Sequence, residues 1–173
     1  DLGRLRKEQD RYGAALECFD KAIALDPGNV QAHYLRGATL AAAAFTEEAI
    51  EAYQHCLRLR PNHIAALLGL GHGLKAVGRY DQSVASYTEC IRHSPESGET
   101  YWSLANLTTY RFDDATVAEM ERHIGGGGLS ASSEVHFLFA LGKAREDRGD
   151  FDRAWHYYRT GNTKQRALVS YDP

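Results

Sequence analysis

No stretch of the 173 residues approaches the ~20 consecutive apolar side chains that a membrane-spanning helix needs, and no secretory leader is visible. Charge of one sign is also scarce. The 20 Lys and Arg residues face 23 Asp and Glu, for a net charge of -3, and no long run of either sign occurs. The densest basic clusters are Arg4, Arg6 and Lys7, then Arg58 and Arg60, and both read as solvated helix faces. Neither has the extent of a nucleic-acid footprint. Cysteine is limited to Cys18, Cys56 and Cys90, an odd number without metal-ligand spacing. A complete disulfide framework is thereby excluded, and a reducing cytoplasm is the expected setting. The chain opens on Asp1 rather than Met, as a piece excised from a longer protein would.

Catalytic constellations are lacking as well. Of the eight histidines, His33 and His136 fall near the start of a helix, and neither has a second ligand three or four positions on. Glu47 and Glu48, like Asp113 and Asp114, are sequence neighbours, so on a helix they diverge by about 100° and cannot converge on one atom. Helix-start roles suffice for them. No spacing suggests a Ser/His/Asp or Cys/His pair. The expectation is therefore a chain without catalytic, cofactor-binding or metal-binding residues of its own.

What is present is a period. Pro27, Pro61 and Pro95 recur at one fixed interval, and Gly3, Gly37 and Gly71 keep the same interval in a column that Ala105 continues. Ala15, Ala49 and Ser83 follow the same step, as do Phe19, Tyr53 and Tyr87. Each unit splits into two helix-length segments, the second apolar at helical spacing, as in Ala15, Phe19, Ala22 and Ile23. The near absence of a side chain in the glycine column lets the two helices of a unit approach. Small residues at Ala15, Ala49 and Ser83 do the same from the facing helix. The aromatic column fills the space between units, and the prolines stop each second helix, where their missing N–H does no harm. One such pair cannot bury its apolar face alone, so stacking supplies the core. Cys56 and Cys90, one period apart in the column of Ala22, read as small buried packing residues, whereas Cys18 lies off it.

These columns, through HYLRGATLAAAAFTEEAIEAYQHCLRLRP and LLGLGHGLKAVGRYDQSVASYTECIRHSP, resemble the tetratricopeptide repeat (TPR) family. The resemblance implies an all-α, right-handed superhelical solenoid of about five helix pairs. The expected boundaries are a clipped repeat over 1–29, repeats over 30–63 and 64–97, an irregular one over 98–129, and a last repeat with an extension over 130–173. The fourth departs from pattern: Leu129 stands where the next proline would fall, and Glu121 where the aromatic would. Asp113 and Ser130 are expected helix N-caps, and Gly125 to Gly128 a mobile loop. Leu141, Gly142, Phe151, Ala154 and Tyr158 restore the columns, with Gly142 slightly late for the period. The final Tyr171, Asp172 and Pro173 read as a chain exit.

The segment YWSLANLTTYRF, VAEMERHI, HFLFALGKAREDRGDFDRAWHYYRTGN and RALVSYDP is similar to the region that joins TPR repeats to the transfer domain of bacterial TPR–sulfotransferase fusions. It implies a non-catalytic arm preceding a domain that uses the sulfate donor PAPS. No phosphate cradle is seen here, because Gly125 to Gly128 follows a helix and has no adjacent Lys or Arg. By the TPR pattern the inner groove is lined by Tyr34, Leu68, His72, Lys75, Trp102, Asn106, Phe139 and Lys143, with Tyr110 nearby. Tyr34 and Leu68 do not suit the basic clamp that some TPR proteins use on chaperone C-termini. Leu35, Gly69, Ser103 and Ala140 replace the asparagine ladder of glycosyltransferase arms. The expected partner is a protein or peptide, or a following catalytic domain, with neither nucleic acid nor membrane. Trp102 can serve either internal packing or partner contact, with Tyr101 the better core candidate.

Overall fold

The computed structural model describes residues 2–169, with side chains from residue 11 onward. Among the described residues every regular element is a helix. The chain divides into two compact units, Asp1–His93 and Ser94–Pro173.

The first unit runs α1 (Leu2–Leu25), α2 (Val30–Ala42), α3 (Thr46–Leu59), α4 (Ile64–Ala76) and α5 (Tyr80–His93), each packed on the next. The short connections between them force neighbours to run antiparallel. Three residues with positive φ carry such turns, Ala44 at 63° and Gly78 at 78° here and Gly149 at 73° in the second unit. All stand at one offset after a glycine of the column, namely Gly37, Gly71 and Gly142.

That glycine column is the seat of the packing. A Cβ at Gly37 would lie 2.8 Å from the Tyr53 ring, and one at Gly71 would lie 2.4 Å from the Tyr87 ring. Gly142 stands in the same relation to Tyr158 in the second unit, at 2.5 Å. The offset from glycine to aromatic is the same in every case, so each ring seats on the first helix of its own pair rather than solely in the expected space between units. Tyr53 also reaches forward, since a Cβ at Gly69 on α4 would come within 2.6 Å of its Cζ. One ring thus locks two successive pairs. Its burial pushes the Tyr53 hydroxyl pKa up to about 12. Cys56 and Cys90 are fully buried, and burial raises the Cys56 thiol pKa, whereas Cys18 is exposed.

Two sequence expectations change. The clipped repeat over 1–29 forms no turn, because α1 is unbroken from Leu2 to Leu25. The turn column falls there on Asp10, amid Arg, Lys, Glu and Gln that favour a continued helix. Gly3 and Phe19 are therefore too far apart along one helix to face each other. The expected glycine loop over 125–128 is also shorter, since α7 (Asp114–Gly126) continues through Gly126. Only Gly127 and Gly128, with φ of 69° and 83°, leave the helix.

The second unit contains α6 (Gly98–Ala105), α7, α8 (Ala131–Glu146) and α9 (Phe151–Leu168). Asp113 accepts from the Thr116 N–H and Ser130 from the Ser133 N–H, so both expected caps are formed. α6 packs chiefly on α8, and α8 in turn on α9. Gly98 makes the first contact possible, for a Cβ there would sit 2.1 Å from the Ser133 carbonyl oxygen. The Gly98 N–H donates to Ser133 Oγ at 2.8 Å, and that hydroxyl donates to the Glu96 carbonyl at 2.5 Å. The final Tyr171-Asp172-Pro173 lies outside the described residues.

Substituting Gly71→Ala should lower stability by ~1–3 kcal/mol in urea denaturation, because the Tyr87 ring cannot withdraw from a packed seam. Gly13→Ala, in the open face of α1 where nothing lies within 4 Å, should instead stabilise by ~0.5–1 kcal/mol. A second outcome concerns pH. His63 caps α4 by accepting from the Ala66 N–H through Nδ1, and burial holds its pKa below 6.5. Its stabilising contribution is full above the unfolded pKa and is lost as pH falls through the lower folded value. His63→Asn, which takes the residue found one period earlier at the Asn29 cap, should flatten the fall of melting temperature between about pH 7 and pH 5.

Candidate functional site

In the first unit the expected contact residues stand on α2 and α4. Leu68, His72 and Lys75 follow one another at helical spacing, so they share a face of α4. Leu68 and Lys75 are half-buried and His72 is exposed. The His72 Nδ1 and the hydroxyl of the buried Tyr87 share a hydrogen bond of 2.8 Å, which fixes the imidazole edge-on to the ring. Tyr34 is half-buried on α2, with its ring centroid 4.8 Å from that of His63 and 6.2 Å from that of Tyr53. It packs beside the His63 cap of α4 and against the core cluster around Tyr53.

The second unit gathers more chemistry. Trp102 on α6 and Phe139 on α8 meet with ring centroids 5.4 Å apart and planes inclined by 44°. Phe139 is wedged further by α9, where a Cβ at Gly161 would come within 3.0 Å of its ring. Both rings remain half-buried, whereas Tyr101 is fully buried beside Phe137. Trp102 therefore joins internal packing to an accessible surface. Asn106 donates its amide to the Trp102 carbonyl at 2.9 Å and terminates α6. Tyr110 sits edge-on to Phe112 at 5.1 Å, its hydroxyl pKa raised by burial. Lys143, one turn beyond Phe139, is ion-paired with Asp147, whose other oxygen lies 3.4 Å from Arg111 Nε. Two cations thus flank a single carboxylate, and one of them, Lys143, stands one helical turn from Phe139. The arrangement can hold an apolar side chain against the rings with an electron-rich group beside the cations.

Sequence reasoning passed over one network. Glu121, standing where an aromatic would complete the column, is ion-paired with Arg145 and accepts from the Tyr157 hydroxyl at 3.0 Å. The hydrogen bond from Arg145 holds the Glu121 carboxyl below its usual range. The only signal was the column itself: Ala105 replaces glycine where Glu121 replaces tyrosine, so seat and ring change together. A cleft of about 350 Å³ opens between the N-termini of α6 and α8, lined by Glu96, Glu99, Ser130 and His136 among others. Its carboxylates oppose the positive ends of both helices. No cluster of His, Cys, Asp or Glu suited to a metal occurs among the described residues. No described helix is long and apolar enough to cross a membrane.

A sequence profile described as TPR repeat matches residues 3–43, and profiles described as tetratricopeptide repeat match residues 30–63 and 66–99. Together they cover more than half of the chain. The chain belongs to the tetratricopeptide repeat family. Solved structures extend the likeness over its whole length. The crystal structure of MamA superposes with a TM-score of 0.72 at 18% identity, covering 99% of this chain and 98% of that one. BtubC from P. vanneervenii gives 0.71 at 17% identity, covering 99% and 80%. YrrB, described as a TPR protein with an unusual peptide-binding site, gives 0.66 at 16% identity, covering 94% and 82%. At these identities the likeness is one of fold. No curated protein matches the sequence. The TPR profiles stop at residue 99, where the tyrosine–glycine seats give way to the Glu121 network.

Because Glu121 and Arg145 neutralise each other at a partly desolvated seam, Glu121→Ala should destabilise by ~2 kcal/mol. This is less than a fully buried pair would lose, since the Glu121 side chain is still 37% exposed and solvent screens it. Arg145→Met, which removes the stranded cation and keeps the volume, should restore much of that loss in the double variant, read by thermal denaturation.

Proposed function

We propose that this TPR chain is a protein-binding scaffold whose principal contact surface is the Trp102–Phe139 pair with Lys143 and Arg111. Tyr34, Leu68, His72 and Lys75 provide a second face in the first unit, and Asn106 and Tyr110 border the principal one. The observation that carries the reading is a pair of incompletely buried rings one helical turn from Lys143, whose carboxylate partner Asp147 also holds Arg111. Leaving such rings in water forgoes part of the ~1.5–3 kcal/mol that full burial of a large side chain supplies, and a partner's apolar residue recovers it. The peptide-binding site named for YrrB, on the same fold, fits this use. TPR pairs serve binding rather than turnover, and none of the contact residues forms a nucleophile–base pair.

A second reading refines the first. The likeness of the C-terminal segment to the arm of TPR–sulfotransferase fusions supports a role in presenting an acceptor to a PAPS-dependent domain in the same chain. A free-standing adaptor in the cytoplasm, or an oligomerising spacer, are the alternatives. Sequencing the gene beyond Pro173 separates them: a strand-rich transfer domain supports the arm, and an early stop supports the adaptor.

The contact surface is tested with peptides selected on the purified chain from a random display library and measured by calorimetry. Trp102→Ala or Phe139→Ala should weaken binding at least tenfold, as truncating an aromatic anchor typically does. Lys143→Glu should weaken it further at low salt, and Lys75→Glu should affect only peptides that use the first unit. Concentration-dependent self-association with no selectable peptide would favour the spacer.

A further inference from the structure

The outer face of α9 carries a stripe that no described residue of the second unit covers. Phe151, Trp155, Arg159, Asn162 and Arg166 follow one another at helical spacing and are all exposed, so they form one continuous strip. Phe151 is 68% exposed and Trp155 is 67%. Neither ring stacks on another aromatic among the described residues. Arg153 and Lys164 on the same helix are paired with Asp150 and Glu134, whereas Arg159 and Arg166 have no ion pair among the described residues.

The repeat indicates what such a face receives. Ile50, on the second helix of the Gly37 pair, is 2% exposed because α4 lies against it. A Cβ at Gly73 would come 2.9 Å from Ile50 Cγ1, while Gly69, one turn earlier on α4, meets the Tyr53 ring. Trp155 and Tyr158 follow Gly142 at the offsets at which Ile50 and Tyr53 follow Gly37. The α9 face is therefore built like the α3 face that accepts an antiparallel helix through two glycines one turn apart. It differs in being larger at the contact, tryptophan for isoleucine, and in being basic beyond it. Arg153, Arg159, Lys164 and Arg166 lie on α9 against Asp152 as its one carboxylate.

We propose that this face of α9 docks an acidic helix from a partner protein, one carrying a Gly-x-x-x-Gly seam and carboxylates near its own N-terminus. The glycines admit the Trp155 ring as Gly73 admits Ile50. In the antiparallel orientation the carboxylates near the partner's N-terminus approach Arg166, with Arg159 at the rim of the contact, where its α3 counterpart Gln54 stays exposed. Charge argues against a second copy as occupant through its first helix, because the N-terminal segment that would lie there carries Arg4, Arg6, Lys7 and Arg11 against Glu8 and Asp10. The proposal stands apart from the Trp102–Phe139 surface, which involves none of these residues.

The probe is a synthetic peptide with the Ile64–Ala76 sequence preceded by three glutamates, titrated calorimetrically into the whole chain. Binding is expected, with at least a tenfold loss on Trp155→Ala and a smaller, salt-dependent loss on Arg159→Glu or Arg166→Glu. A peptide with leucine at both glycine positions of the seam should fail to bind. Circular dichroism and melting temperature should be unchanged for Trp155→Ala, since the ring is exposed. Absent binding, equal binding by the leucine peptide, or equal binding by Trp155→Ala would overturn the proposal. So would sedimentation showing self-association that Trp155→Ala abolishes, because the occupant would then be another copy. Trp102→Ala should leave peptide affinity unaltered, which keeps a failure here distinct from a failure of the scaffold surface.

Discussion

Everything in this fold depends on an aromatic ring lying where a side chain has been removed. Gly37, Gly71 and Gly142 hold Tyr53, Tyr87 and Tyr158 respectively, at distances no Cβ could tolerate. The contact does more than fill space. It sets the closest approach of the two helices of a pair, and with it the direction in which the next pair must add. Tyr53 shows this directly, because one edge of its ring rests on Gly37 and the other on Gly69 of the following pair. A ring with two seats transmits position along the stack, which a flexible aliphatic chain would do less well.

Where the seat is lost, the fold changes its method. Ala105 carries the methyl group that the other first helices lack, and Glu121 supplies no ring. α6 turns to α8 through Gly98 and Ser133 instead, and the space by α7 is closed by the Glu121, Arg145 and Tyr157 network. Charge and hydrogen bonding replace dispersion there, at a location still reached by water. The same departure brings Trp102 against Phe139 and sets Lys143 and Arg111 around Asp147. The cluster of rings and ion pairs in the second unit thus accompanies the irregular repeat.

Most of the fold was legible because periodicity reports on packing that recurs. Small residues, rings and prolines in fixed columns placed α2 through α5 and the return at α8 and α9, and the caps at Asp113 and Ser130 followed from local hydrogen-bonding chemistry. The unbroken α1 was not legible, since Gly3 and Phe19 keep the column whether or not a turn lies between them. At the candidate site the face shared by Leu68, His72 and Lys75 could be read from spacing alone. The partners of those side chains could not. Tyr87 beneath His72, Arg111 beside the Lys143–Asp147 pair and His63 under Tyr34 come from other parts of the chain, and no rule of spacing joins them.

By itself, then, the sequence determined that this protein is a series of helix pairs, that small residues and rings would recur in fixed columns, and that one pair would differ. Those properties depend on residues a fixed distance apart along the chain. That each ring rests on the glycine of its own pair came from the structure. The tertiary structure alone decided how the exceptional pair is closed, which of the candidate contact residues are engaged by neighbours, and that Trp155 stands open where Ile50 is covered. Burial and electrostatic pairing depend on what lies across a seam, and a sequence records neither the distance nor the direction across it.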